Sequence, residues 1–140
     1  MRLAYVQYVD SISGWASGIT YGPWIRILLS KKQDTGLLAH ELLHVTQFWS
    51  AVVAFMCWLP FVSSYPISLV IAALIAFALR KQLTLMAEVD AYRVQLKITS
   101  ESLNMAQIES RISLFALFLS TRYRLNITQE YAIKLLSKSR

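Results

Sequence analysis

The chain has 140 residues, a length that accommodates about one domain. Hydrophobic residues make up 56% of it and charged residues only 16%, against roughly 25% charged in ordinary soluble domains. Part of its surface is therefore expected to be buried in lipid, in a partner or in an unusually apolar core. The net charge of +6 comes without a nucleic-acid-binding motif, so we expect no nucleic-acid partner.

The N-terminal region predicts a short β-element. Residues 1–23 are rich in aromatic residues, serine and glycine, which predicts irregular structure with one short strand near residues 16–21. Gly22-Pro23 is a turn signal. The segment Trp24–Ser30 alternates apolar residues in the way a strand with one buried face does.

The next element carries the main chemical signal. Asp34 or Thr35 is a suitable N-cap for a helix that begins two residues later. That helix contains the motif His40-Glu41-Leu42-Leu43-His44, with both histidines of the chain. Residues four apart lie on one helix face, so both imidazoles can reach one Zn²⁺ ion. The spacing predicts metal ligands at His40 and His44, and at Glu41 a general base that takes a proton from the attacking water.

An uncharged stretch follows. No charged residue occurs between Val45 and Leu79, and Arg80-Lys81 closes the run. Pro60 and Pro66 divide it into halves near 45–59 and 67–79. We call residues 45–79 the apolar hairpin, and expect two antiparallel helices joined between the prolines.

Three further helices are predicted after the hairpin. They cover about 81–98, about 102–122, and a short segment from a Thr128 cap through Leu136. The first contains the acidic string Ala87-Glu88-Val89-Asp90-Ala91-Tyr92. Two histidines need a third protein ligand, and Glu88, Asp90 and Tyr92 are the candidates. The alternative for either carboxylate is a solvated pair with Arg93 or Lys97.

A metal site also constrains the hairpin. A single transmembrane helix would leave His44 and Glu88 on opposite sides of a bilayer, unable to share an ion. A hairpin with both ends on the cytoplasmic side avoids this and agrees with the basic residues at both ends. The chain is thus expected to be membrane-associated with a cytoplasmic-facing site. The alternative is burial of residues 45–79 in a larger assembly, in the cytoplasm or in a viral particle.

The HELLHVTQ and E-x-D-A-Y strings resemble the gluzincin zinc metallopeptidases, over roughly residues 19–50 and 82–97. The resemblance is to their minimal bacterial and phage-type members, which have HExxHxxQ; Gln47 supplies the glutamine here. It implies that Glu88 is the third zinc ligand beside His40 and His44. It also implies that Trp24–Ser30 is an edge strand to which an extended peptide substrate adds.

These expectations together define a mostly α fold in a single domain over residues 1–140. It has a zincin-like minimal core, a short β-element before the HExxH helix, the apolar hairpin and C-terminal helices.

The expected function is zinc-dependent hydrolysis of a peptide bond in a peptide or protein substrate. Asp90 and Tyr92 are expected to orient the site from behind the ligands. The group that polarises the scissile carbonyl is sought among Tyr92, Tyr123 and Tyr131, each of which is alternatively a core or interface residue. The alternative function is a non-enzymatic membrane or virion-type structural protein with a structural zinc site.

Overall fold

A computed structural model describes residues 3–63, 66–123 and 125–138. In these ranges the chain is mostly helical, with a small sheet before the first helix, as predicted. The order is β1 (Tyr5–Val9), β2 (Gly18–Tyr21), β3 (Trp24–Leu28), α1 (Thr35–Ser63), α2 (Pro66–Ser100), α3 (Met105–Thr121) and α4 (Gln129–Ser137), with a 3₁₀ turn at Leu29–Lys31.

The sheet has the order β1-β3-β2. β3 pairs in parallel with β1 and antiparallel with β2, across a two-residue turn in which Gly22 has φ +59°. Ile25 and Ile27 of β3 are buried against Val45 of α1, which anchors the sheet to the motif helix. β1 was not predicted, although its alternating pattern is that of a half-buried strand.

The helical boundaries differ from the prediction in two places. α1 continues to Ser63, three residues beyond Pro60. α2 joins the second half of the apolar hairpin to the helix predicted at 81–98. Arg80 and Lys81 change the polarity of α2 but break no backbone hydrogen bond, so they do not end it. The predicted connection includes Ser64 and Tyr65, which lie outside the described residues.

α3 and α4 pack on the second half of α2 and form the larger core. Asn104 caps α3 in a capping box with Gln107, and Thr128 caps α4 as predicted. The core is built from ten buried residues of α2, α3, α4 and the segment before α4: Val89, Tyr92, Leu96, Ile112, Phe115, Ala116, Leu119, Leu125, Ala132 and Leu136. This core fixes the position of the second half of α2, which carries Glu88.

The far part of the hairpin has no such cover. Val45 belongs to the core beneath the sheet, whereas residues 53–59 and 70–84 are all exposed. Both α1 and α2 are long and apolar enough to cross a membrane. A helix that is apolar on all sides is normally buried in a large core or in lipid. We therefore expect this exposed apolar surface to be buried against something other than the described residues, which leave it open to solvent.

Candidate metal centre

α1 and α2 bring three candidate ligands together. His40 and His44 lie one turn apart on α1, and Glu88 faces them from α2. One ligand atom from each lies within 4.8 Å of the other two. We call these three side chains the His-His-Glu cluster. His40 and the adjacent Glu41 are each only 5% exposed, so the cluster lies at the base of a cleft rather than on the surface.

The distances in the cluster fit a tetrahedral ion. The Nε2 atoms of His40 and His44 are 3.2 Å apart. Glu88 Oε2 lies 3.6 Å from Nε2 of His40, and Glu88 Oε1 lies 3.6 Å from Nε2 of His44. Ligands bound at about 2.0–2.1 Å in a tetrahedron are about 3.3–3.4 Å from one another. Glu88 Oε2 is also buried with no hydrogen-bond partner among the described residues. The donor set, its spacing and this unpartnered oxygen all fit a divalent cation.

The charges within the cluster are strongly coupled. Burial alone would raise the pKa of Glu88, but the two imidazoles outweigh it and lower the pKa to about 2. Burial alone would likewise lower the pKa of His44, but Glu88 outweighs it and raises the pKa. The cluster thus holds Glu88 as a carboxylate, the form that binds a metal.

Gln47 determines which nitrogen of His44 carries the proton. Its Oε1 lies 3.0 Å from His44 Nδ1, and its Nε2 donates to the carbonyl of Ala87 on α2 at 3.4 Å. Because Oε1 only accepts, Nδ1 must donate, so Nε2 is the nitrogen that is free to bind a metal when the ring is neutral. Gln47 therefore orients the His44 ring and connects α1 to α2 beside Glu88.

Aromatic residues support the other histidine. The Tyr92 ring packs against the His40 ring, with centroids 4.6 Å apart, and stacks on Phe115 at 4.4 Å. The hydroxyl groups of Tyr92 and Tyr123 lie 3.1 Å apart. The Tyr92 ring therefore contacts one of the candidate ligands, and its hydroxyl lies beside that of Tyr123 at the cleft.

Glu41 is held by the sheet. Thr20 Oγ1 of β2 donates to Glu41 Oε2 at 2.6 Å. A Cβ atom at Gly18 would lie 2.6 Å from Glu41 Oε1, so only glycine leaves room for this carboxylate. Burial raises the pKa of Glu41, and the Thr20 hydrogen bond opposes that effect. The carboxylate is thus fixed beside the cluster in an environment that favours taking up a proton.

The cluster opens into a cavity of about 540 Å³, within the range of small-molecule and peptide sites. His40, Glu41 and His44 form its base, Tyr123 one wall and β2 the other.

The position of β2 at this wall corrects the prediction of which strand forms the edge of the sheet. Trp24–Ser30 was expected to be the edge strand, but β3 ends at Leu28 and lies in the centre of the sheet. β2 is the edge strand at the cleft.

Two other predicted residues lie away from the cluster. Asp90 was expected to orient the site, but its carboxylate is 55% exposed and lies 3.4 Å from Arg93. Two residues along a helix turn it by about 200°, so Asp90 and Glu88 point to opposite sides of α2. Tyr131, on α4, is 49% exposed and does not line the cavity.

Gly18 and Thr20 were not predicted as site residues. Their role depends on the position of β2 over α1, which no local spacing records. A glycine and a threonine at the start of a short strand are an ordinary β-sheet pattern. Only the contact with Glu41 distinguishes them.

Comparisons of the chain with protein-family models, with curated proteins and with solved structures give no match. The interpretation of the site therefore depends on its residues and their geometry.

Proposed function

We propose that the protein is a zinc-dependent peptidase. The observation that carries this proposal is the combination of three features: a His-His-Glu cluster with ligand spacing, a cleft lined by all three of its residues, and the buried Glu41 carboxylate beside it. Catalytic zinc sites have three protein ligands and an open position.

The proposed chemistry uses few groups. His40, His44 and Glu88 would hold a zinc ion, which would supply Lewis acidity toward the scissile carbonyl. Glu41 takes a proton from the attacking water and passes it to the nitrogen of the leaving amine. Burial and the neighbouring Tyr92 and Glu88 raise the pKa of Tyr123, so its hydroxyl keeps its proton. Tyr123 then donates a hydrogen bond to the developing oxyanion.

β2 supplies the substrate-binding edge in this proposal. An extended peptide that pairs with β2 lies across the base of the cleft, because Gly18 and Thr20 already contact Glu41.

The alternative is a structural zinc site without hydrolysis. Such a site is closed by a fourth ligand, and the candidates are Asp90 within the chain or a residue of a partner protein. Asp90 faces away, and in the described ranges no other His, Cys, Asp or Glu joins the cluster. This arrangement favours catalysis over a structural role.

The test of the proposal is metal-dependent cleavage. Purified protein is expected to contain about one zinc per chain, and to cut an unfolded protein substrate at internal peptide bonds detected by mass spectrometry. A chelator should abolish cleavage, and added Zn²⁺ should restore it. Zinc-loaded protein that cuts no member of a diverse peptide library would contradict the proposal.

We further propose that the apolar hairpin inserts into a membrane. From Ala51 to Ser63 the helix rises about 20 Å, less than the hydrocarbon thickness of about 30 Å. The hairpin would thus enter the bilayer from one side, with Arg80 and Lys81 at the cytoplasmic headgroups. His44 precedes Ala51 by about two helical turns, so the cleft would lie close to the membrane surface.

Cys57 tests this placement, because it is the only cysteine and is exposed on the hairpin. In intact membranes it should react with a membrane-impermeant maleimide at least about tenfold more slowly than after solubilisation in SDS, since lipid excludes the reagent and disfavours the thiolate. The control is the double variant Cys57→Ser, Ser102→Cys, with its thiol in the exposed turn before α3. Equal labelling of both proteins in intact membranes would contradict insertion.

A further inference from the structure

The cleft continues past the His-His-Glu cluster in a second cavity. This cavity has a volume of about 360 Å³ and shares His40, Glu41 and Tyr123 with the first. Together the cavities follow α1 from Leu37 to Phe48, about 16 Å along the helix axis. At about 3.3 Å per residue this length accommodates about five residues of an extended peptide.

The two ends of the cleft differ in chemistry. At one end, Ile19, Gly22 and Phe48 line the first cavity, and the Phe48 ring lies against Gly22. At the other end, Lys31 and Arg111 line the second cavity. The first end thus offers apolar surface and the second end offers two cations.

Neither of these two cations is paired with a carboxylate in the part of the chain that the structure describes. Among the residues that the structure describes, neither Lys31 nor Arg111 forms an ion pair. Asp34 lines the same cavity, but its Oδ1 accepts a hydrogen bond from the backbone nitrogen of Leu37 at 2.8 Å as the cap of α1. Arg111 is half-buried on α3 and lines the cavity together with the apolar residues Leu114, Phe115 and Phe118 of the same helix.

We infer, on the basis of the peptidase function proposed above, that the Lys31–Arg111 end of the cleft binds a carboxylate of the substrate. The carboxylate is either an Asp or Glu side chain or the free C-terminus of the peptide, since both make the same bidentate pair with arginine.

The strand direction places this carboxylate after the scissile bond. β2 runs from Gly18, at the basic end, to Tyr21, beside the apolar end. Antiparallel pairing is the more common and slightly more stable arrangement. A peptide antiparallel to β2 has its N-terminal part at Phe48 and its C-terminal part at Lys31 and Arg111. The preferred substrate then has an apolar residue before the cut and a carboxylate after it.

Peptide binding tests this inference without turnover. The zinc-loaded Glu41→Gln protein is titrated into fluorescein-labelled hexapeptides of alanine and leucine, followed by fluorescence anisotropy. The first peptide has no ionisable side chain and an amidated C-terminus. The second has a single Glu near its amidated C-terminus. The third has no ionisable side chain but a free C-terminal carboxylate. At least one carboxylate peptide should bind about tenfold more tightly than the neutral one, as a charge-assisted pair predicts. The two carboxylate peptides distinguish the side chain from the C-terminus as the source.

Matched variants locate the effect. Arg111→Gln should lower the affinity for the carboxylate peptide to that for the neutral peptide. Lys31→Gln, at an exposed position, should lower it in part. Arg26→Gln, on the exposed face of β3 and outside this cavity, should leave the preference unchanged.

Two results would overturn the inference. One is equal affinity of the wild-type cleft for all three peptides. The other is an equal loss for all peptides in Arg111→Gln, which would mean that the residue supports the fold rather than the carboxylate. Failure of every peptide to bind would instead count against the peptidase function itself.

Discussion

Glu88→Ala is expected to remove zinc from the protein. The substitution deletes one of three ligands, and loss of even an outer partner of a ligand typically lowers metal affinity ten- to a hundredfold. We expect a loss of more than about a hundredfold, measured by competition with a chromophoric chelator and by elemental analysis.

Asp90→Ala is the matched control for this prediction. Asp90 lies on the same helix and has the same charge, but it is exposed and paired with Arg93. Its loss should leave zinc content unchanged, and circular dichroism should show that both variants keep their helices. If Glu88→Ala retained zinc with wild-type affinity, the proposed ligand set would be wrong; if Asp90→Ala lost it, a closed structural site would become the better interpretation.

The parts of the site that the sequence predicts are those that depend on local spacing. His40, Glu41 and His44 come from one helical period, and their common face follows from helix geometry alone. Glu88 was reached through an acidic string and a family resemblance, and the structure brings it to the two histidines across α1 and α2. The contact between α1 and α2 needed no prediction of register, because in a hairpin the second helix runs back along the first.

The parts that depend on pairing between distant segments were not predictable. The sheet order β1-β3-β2 follows from a parallel pairing of β1 with β3. β1 was not predicted, and the family resemblance implied that Trp24–Ser30 was an edge strand. Gly18 and Thr20 acquire their role only because β2 passes over Glu41. The long α2 was divided at Arg80 and Lys81 because a change of polarity was taken for a helix end.

The proposed catalytic role of Glu41 gives the largest expected effect on activity. In the Glu41→Gln variant the side chain keeps its shape, and its amide oxygen can still accept the hydrogen bond that Thr20 now donates at 2.6 Å. The amide cannot take a proton from water. General acid–base catalysis contributes about 10²- to 10⁴-fold, so we expect kcat for peptide cleavage to fall by about a thousandfold or more while KM changes little.

Zinc content decides how a loss of activity is interpreted. Glu41 is not one of the three ligands, so Glu41→Gln should retain about one zinc per chain. Glu109→Gln, an exposed carboxylate on α3, is the control and should retain both zinc and activity. Wild-type turnover by zinc-loaded Glu41→Gln would exclude the general-base role. Full zinc with no turnover in Glu41→Gln, beside zinc-free Glu88→Ala, would separate binding from chemistry: the His-His-Glu cluster holds the ion, and the carboxylate held by β2 moves the proton.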